Sequence, residues 1–479
     1  MDIIGRKEEQ RLLKRYWLSD KPEFIAVYGR RRVGKTYLVR EFFGDFAFRM
    51  TGAANVSTRN QLADFDAAIR QHAENPYPRA QNWREAFEIL RDLLEAKLAD
   101  PRRPSGKLVV FLDELPWLDR KKSGFVSALE HFWNDWAASR PEILLIVCGS
   151  STSWIVKKLF KNRGGLHNRL TGRIGLAPFS LAECEEYLAA QSVVLNRYQV
   201  LQAYMICGGI PYYLSLFDKH FGLTQNIDHL FFTKNAPLRD EFEELFASLF
   251  ANPGRHTTVV RALARNRTGI SRDEVIQATK IADGGSLTQT LAELEQAGFT
   301  AKSVDFTKAK KGALYRLVDP FVLFYLRFVE RNRSGDEYFW TNYTADAGYR
   351  AWTGLAFEEA CLLHLRQLRA ALGIAGVSSE AVSWRSDPSI TPGAQIDLLI
   401  DRRDQIINLC EMKYTAQPFT IDKSTAEALQ RRRQVFVAET GTRKAIHLTM
   451  ITPYGLADTG YRGDIQSEVT MEDLFQGSL

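Results

Sequence analysis

Apolar runs and helical repeats alternate along the first third of the chain. Phe24-Ile25-Ala26-Val27-Tyr28 is a wholly apolar run that reads as a buried strand, and Tyr37-Leu38-Val39-Arg40-Glu41-Phe42-Phe43 after it reads as a helix. Two more helical patterns surround Gln61–Phe65 and Trp83–Leu90. Past turn signals at Pro101, Pro104 and Gly106 come two further buried strands, Leu108–Leu112 and Ile143–Cys148. The class is α/β.

From about 178 to 235 the pattern is helical, beginning with Leu181–Leu188, until Pro237 and Asn252-Pro253-Gly254 mark a change of domain. Three short helices follow, Thr257–Ala264, Ser271–Ile276 and Ser286–Leu294, then a hairpin around Lys308, Lys310, Lys311 and Gly312 that closes on Ala313–Leu317. Helices ahead of a two-stranded wing predict a winged helix-turn-helix. The aromatic stretch Asp319–Phe328 reads as a buried bridging helix. Beyond it the pattern is a helix (Gly354–Leu363), two strands joined at Arg402-Arg403-Asp404 (Gln395–Ile400 and Ile406–Lys413), a helix bearing Arg431-Arg432-Arg433, and a strand (Ile446–Met450).

Composition narrows the class without naming a chemistry. With 479 residues, 45% hydrophobic and 25% charged, the chain has material for several cores. No run reaches the roughly 18 apolar residues of a membrane span, and Met1–Lys7 lacks a signal-peptide core, so a cytoplasmic protein without a membrane partner is expected. The five cysteines are scattered, which suits reduced, buried thiols, and the eight histidines form no zinc motif. A net charge of +6 permits a nucleic-acid partner without demanding one.

The chemistry begins between the first strand and its helix. Gly29-Arg30-Arg31-Arg32-Val33-Gly34-Lys35-Thr36 fits the phosphate-loop pattern G-x-x-x-x-G-K-[ST]. Gly29 and Gly34 let the backbone wrap phosphate, Lys35 reaches the β- and γ-phosphates of ATP, and Thr36 ligates Mg²⁺. Arg30, Arg31 and Arg32 either add charge near phosphate or stand solvated on an exposed loop. Ile3-Ile4-Gly5 ahead of the first helix could wall an adenine pocket or simply precede a capping helix.

Asp113-Glu114 ends the second apolar strand. Asp113 is placed to hold the Mg²⁺ shell and Glu114 to polarise a water, although a helix cap with an acidic first turn would also select such residues. Ser150 and Ser151 after the third strand could sense a γ-phosphate or cap the next helix.

Near the carboxyl end, Glu411 and Lys413 lie two apart on a strand and share a face, and Asp397 joins them if the strands pair as a hairpin. Two carboxylates and an ammonium suit Mg²⁺-dependent phosphodiester hydrolysis, with Mn²⁺ as a substitute. The spacing D-x₁₃-E-x-K is not specific: with the gap allowed to vary, average composition yields about one such match in a chain of this length.

Order adds what spacing lacks. The phosphate loop, the Asp-Glu strand, the Ser-ending strand, Arg169–Arg173, Leu176–Ser180 and Gly208-Gly209-Ile210-Pro211 together resemble the archaeal-type AAA+ ATPases related to STAND signalling ATPases. That resemblance implies an ATPase core over 1–177, a helical lid over 178–235, a winged helix with its bridging helix over 236–330, and a nuclease-like domain over 331–479. It implies that Pro211 packs on adenine and that Arg169 or Arg173 reaches a γ-phosphate, as an arginine finger in a homo-oligomer or otherwise; either could instead pair within its own domain. The carboxyl-terminal helix-hairpin-helix-strand order resembles the PD-(D/E)XK nuclease core. By that match Glu358 is the helix acid beside Asp397, Glu411 and Lys413, with Asp397 and Glu411 as metal ligands. The sequence departs at Pro392-Gly393-Ala394-Gln395, where the Pro-Asp dipeptide is absent.

An ATP-dependent nuclease acting on DNA is the leading expectation. The rivals are a nucleotide switch, or a DNA-binding regulator, built on an inactive nuclease fold. Glu293 and Glu295, with no Lys or Arg between 284 and 297, argue against phosphate contact by the third helix of the winged segment.

Overall fold

The computed structural model describes residues 3–103, 105–150, 152–161, 164–166, 168–266, 268–303, 306, 313–332, 335–386 and 394–477. Pro104, Ser151, Lys308, Lys310, Lys311 and Gly312 of the expected hairpin, and Pro392-Gly393 lie outside them. The chain forms two compact units, residues 1–177 and 178–479.

The first unit is built on a parallel sheet of β1 (Glu23–Tyr28), β2 (Phe48–Thr51), β3 (Leu108–Asp113), β4 (Ile143–Gly149) and β5 (Gly172–Gly175), in the order β2-β3-β4-β1-β5. Every residue of β4 is buried. Inner strands of a parallel sheet are covered on both faces, which is why Phe24–Tyr28, Leu108–Leu112 and Ile143–Cys148 are apolar runs. The edge strands β2 and β5 alternate buried with exposed positions and are only four residues long. Neither is visible as an apolar run.

Helices Thr58–His72 and Trp83–Ala99 start where Ser57 and Asn82 accept from the backbone N–H three residues on. Their apolar faces enter a core in which Trp83 is 1% exposed and meets the Phe125 ring edge-on at 4.9 Å. All strands of the sheet point the same way, so the residues after β1, β3 and β4 share one edge. In open α/β sheets that carboxyl edge is where ligands bind.

The second unit opens with helices that include Leu181–Ala190, Arg197–Cys207 and Leu223–Phe231. Between helices Glu241–Leu249 and Pro253–Leu263, Pro253 takes the first turn of the second, where its missing N–H costs nothing. Helices Arg272–Thr279 and Gly285–Gln296 follow, then an antiparallel pair, β6 (Thr300–Ser303) and β7 (Leu314–Leu317). Glu293 accepts from His256 at 2.8 Å, and Glu295 pairs with Lys302 at 2.7 Å, so both acids of that third helix are engaged within the fold. The bridging stretch is not one α-helix. Pro320–Phe324 passes into a π-helical turn, Tyr325–Val329.

A second sheet holds β8 (Ser379–Arg385), β9 (Gln395–Arg402), β10 (Ile406–Met412), β11 (Ala445–Thr452) and β12 (Ser467–Thr470), in the order β12-β11-β10-β9-β8. β8, β9 and β10 are antiparallel, and helix Lys423–Thr440 carries the chain over to β11, which runs parallel to β10. Leu409, Leu448, Leu429 and Phe436 share the core between sheet and helix. All five cysteines are buried and free.

Candidate functional site

The phosphate loop leaves the carboxyl end of β1 and enters helix Lys35–Phe43. Lys35 is 5% exposed, and its Nζ donates to the Arg30 carbonyl at 2.8 Å, a contact within the loop that a phosphate oxygen can replace. Burial lowers the Lys35 ammonium from its ordinary range, against the attraction of Glu114 and Asp113. Thr36 Oγ1 donates to Asp113 Oδ2 at 2.8 Å. Burial raises the Asp113 carboxyl, while that hydroxyl opposes the shift. Thr36 and Asp113 are hard oxygen donors from two elements held at one point, a donor set that fits Mg²⁺.

The three loop arginines separate. Arg31 is exposed, but Arg30 is buried, which corrects a uniformly solvated reading of the loop. Arg6, which the sequence did not mark, is 5% exposed and donates from Nη2 to the Val33 carbonyl at 3.1 Å. The approach of residue 6 to residue 33 leaves no local signature. Arg6 supports the loop from the turn ahead of the first helix.

Glu114 follows Asp113 with φ 48°, a left-handed conformation unusual outside glycine, and its N–H donates to Asp113 Oδ1 at 2.9 Å. Its carboxylate accepts from the Ser150 hydroxyl and from the Ser150 backbone N–H at 3.3 Å. The serine after β4 therefore engages the acid after β3. Lys35, Thr36, Asp113, Glu114 and Ser150 stand together at the carboxyl edge of the sheet.

Arg169 and Arg173 do not join that group. The N–H of Thr171 donates to Phe24 near the start of β1, so Arg169 lies toward the amino edge, away from the loop, and its Nε reaches the Gly165 carbonyl at 3.4 Å. Arg173 sits beside Ala26 with its guanidinium 4.3 Å from the Phe160 ring centroid. Pro211 opens the short helix Pro211–Leu214 in the second unit.

A second polar constellation lies wholly in the second unit. Glu358, Asp397, Glu411 and Lys413 line one pocket of about 220 Å³, together with Gln395 and Arg432. Helix Ala347–Leu363 brings Glu358, β9 brings Asp397 and β10 brings Glu411. Cys410 pairs with Leu398, and continuing that register one step sets Glu411 across from Asp397. Glu411 is bound by Lys413 at 2.9 Å and by Arg432, and Asp397 accepts from Gln395 at 2.5 Å. Gln395 and Arg432 were not singled out as site residues, because only the folded helix and hairpin bring them inward. Among the described residues no group of three or more His, Cys, Asp and Glu is arranged to hold a metal. Glu411 is already engaged by two cations.

Glu359, next to Glu358, pairs with Arg316 at 2.8 Å. Burial pushes its carboxyl up to about 7 despite that arginine.

Residues 4–217 match the family described as an ATPase domain predominantly from Archaea. The chain is similar to an uncharacterized protein of Methanocaldococcus jannaschii, 23% identical over 373 residues that cover 76% of this chain and 78% of the relative. Among solved structures it is similar to a Walker-type ATPase of Pyrococcus abyssi, at 20% identity and TM-score 0.48, covering 68% of this chain and 96% of that one. It is also similar to the ORC2 protein of Aeropyrum pernix, at 14% identity and TM-score 0.43, covering 69% and 94%. No described helix is long and apolar enough to cross a membrane. The family match spans the part of the chain that carries the phosphate loop, Asp113, Glu114 and Ser150.

Proposed function

We propose that the chain is an ATPase whose nucleotide cycle governs a Mg²⁺-dependent nuclease acting on DNA. In the ATPase domain, the N–H groups opening helix Lys35–Phe43 and the Lys35 ammonium hold the phosphates, with Lys35 exchanging the Arg30 carbonyl for phosphate oxygen. Thr36 and Asp113 would hold Mg²⁺, which supplies charge neutralisation at the transferred phosphoryl group. Glu114 orients the attacking water once its carboxylate turns from Ser150. Arg169 or Arg173 reaches the γ-phosphate of a neighbouring copy as an arginine finger.

The observation that carries the nuclease half is the convergence of Glu358, Asp397, Glu411 and Lys413 on one pocket from a helix and two strands. Their oxygen donors suit Mg²⁺ or Mn²⁺, which would be held by Asp397 and Glu411 and would supply Lewis-acid activation of water. Lys413, freed from Glu411, stabilises the charge that develops on the phosphate. Incubation of supercoiled plasmid with the protein, Mg²⁺ and ATP tests this reading. Nicking should appear with the wild type and vanish in Lys413→Ala; equal nicking by both, or none by either, would remove the nuclease half.

The ion pairs around Glu411 favour a second reading, a nucleotide switch that keeps the nuclease fold as a binding surface. In that case calorimetry would detect no Mn²⁺ heat that Asp397→Ala abolishes.

A further inference from the structure

A second pocket shares Glu358 with the one above, and its chemistry is of the opposite sign. It encloses about 370 Å³, and Arg265, Arg316, Arg327 and Arg331 stand around it. Four guanidiniums meet two carboxylates, Glu358 and Glu359, leaving an excess of two positive charges. Arg316 is matched by Glu359 at 2.8 Å. Arg265, Arg327 and Arg331 have no carboxylate partner among the described residues.

The cations come from separate elements. Arg265 follows helix Pro253–Leu263, Arg316 lies on β7, and Arg327 lies on the π-helical turn Tyr325–Val329. A π turn inside an α-helical stretch is a costly geometry that occurs often at functional sites. The remainder of the wall is apolar, with Leu323, Leu326, Leu355 and Ala356. Guanidinium forks around an apolar floor match a ligand that is anionic at one end and flat and apolar at the other.

We infer that this pocket takes one nucleotide unit of a single-stranded nucleic acid, its phosphate against Arg265, Arg327 and Arg331 and its base against the leucine floor. At 370 Å³ the space is near the lower bound of the ~300–1,000 Å³ typical of ligand sites, room for a nucleotide but not for a duplex. The shared wall at Glu358 makes the phosphodiester leading out of this pocket the one presented to Asp397, Glu411 and Lys413. The inference rests on the nuclease reading for that last step, and not for binding.

The test is fluorescence anisotropy of a labelled 12-nucleotide single strand on the full chain, in chelator so that no metal chemistry occurs, across a salt series. Arg265→Ala/Arg331→Ala should bind roughly tenfold more weakly or worse. The slope of log affinity on log salt should fall by about 1.4, because each phosphate contact on a single strand contributes about 0.7. Arg79→Ala, an exposed arginine of the first unit, should bind as wild type, and an unchanged melt of the double variant shows that it folds. Binding of the double variant equal to that of Arg79→Ala overturns the inference. So does polyglutamate displacing the strand as well as unlabelled oligonucleotide does, or a duplex preferred with the same arginine dependence. Arginine-dependent strand binding in a protein that nicks nothing sinks the nuclease reading alone. Nicking with strand binding indifferent to these arginines sinks this one alone.

Discussion

The phosphate loop has two glycines, and the fold requires them for different reasons. Gly29 has φ +147°, and a Cβ there would lie 2.3 Å from the Leu176 carbonyl oxygen. Leu176 cannot easily give way, because its N–H donates to the Tyr28 carbonyl at 2.7 Å and so ties the end of β5 to β1. Gly34 has φ +89°, and nothing lies within 4 Å of its added Cβ. Gly34→Ala therefore carries only left-handed strain, about 1–2 kcal/mol. Gly29→Ala carries strain of about 1–3 kcal/mol and an overpacking cost of about 1–3 kcal/mol, together about 4. For a unit of this size each kcal/mol shifts Tm by about 2–4 °C. The expected drops are roughly 8–16 °C for Gly29→Ala and roughly 3–6 °C for Gly34→Ala. Calorimetry on the full chain reads them in the transition that ATP raises in the wild type. Equal drops for the two variants would refute the close-approach argument, since both share the conformational term and only one meets Leu176.

Glu114→Gln should lower kcat for ATP hydrolysis by about 10²–10⁴ while nucleotide binding persists, the range for loss of a positioned general base; turnover by a phosphate-release assay and binding by a fluorescent ATP analogue check the pair. Arg432→Ala removes one of the two cations on Glu411, and a charge-assisted contact is worth about 1.5–3 kcal/mol, so Mn²⁺ should bind about tenfold or more tightly by calorimetry. Weaker Mn²⁺ binding would show that Arg432 helps build the site rather than competing for it. Glu359 titrates near 7 in the folded protein against an ordinary value of 4.5, so folding favours its protonated form. Its contribution to stability is complete below about 4.5 and is lost as pH rises through about 7. Over that window the wild-type Tm should fall relative to Glu359→Gln, and parallel melting curves for the two would contradict the assignment.

Much of the ATPase site was legible from the sequence because its parts are local. A strand buried on both faces must be an apolar run, so β1, β3 and β4 could be read directly, and the loop, Asp113 and Glu114 could be placed at their ends. The edge strands β2 and β5 could not be read this way. At four residues with one wet face, Phe48–Thr51 and Gly172–Gly175 carry no periodic signal distinguishable from a loop. Helix Gly285–Gln296 was readable from its spacing, but not the pairing of Glu293 with His256, which depends on another helix lying against it.

By itself the sequence determined the phosphate-loop chemistry, the alternation of strand and helix in the first unit, and the face shared by Glu411 and Lys413. These follow from backbone periodicity and from residue types a few positions apart. Only the tertiary structure decided that Arg6 supports the loop, that Ser150 holds Glu114, that Glu359 pairs with Arg316, and that Arg432 occupies Glu411. Each of these is a contact between elements distant in the chain. Such contacts are set by how the elements pack, and no local pattern encodes them.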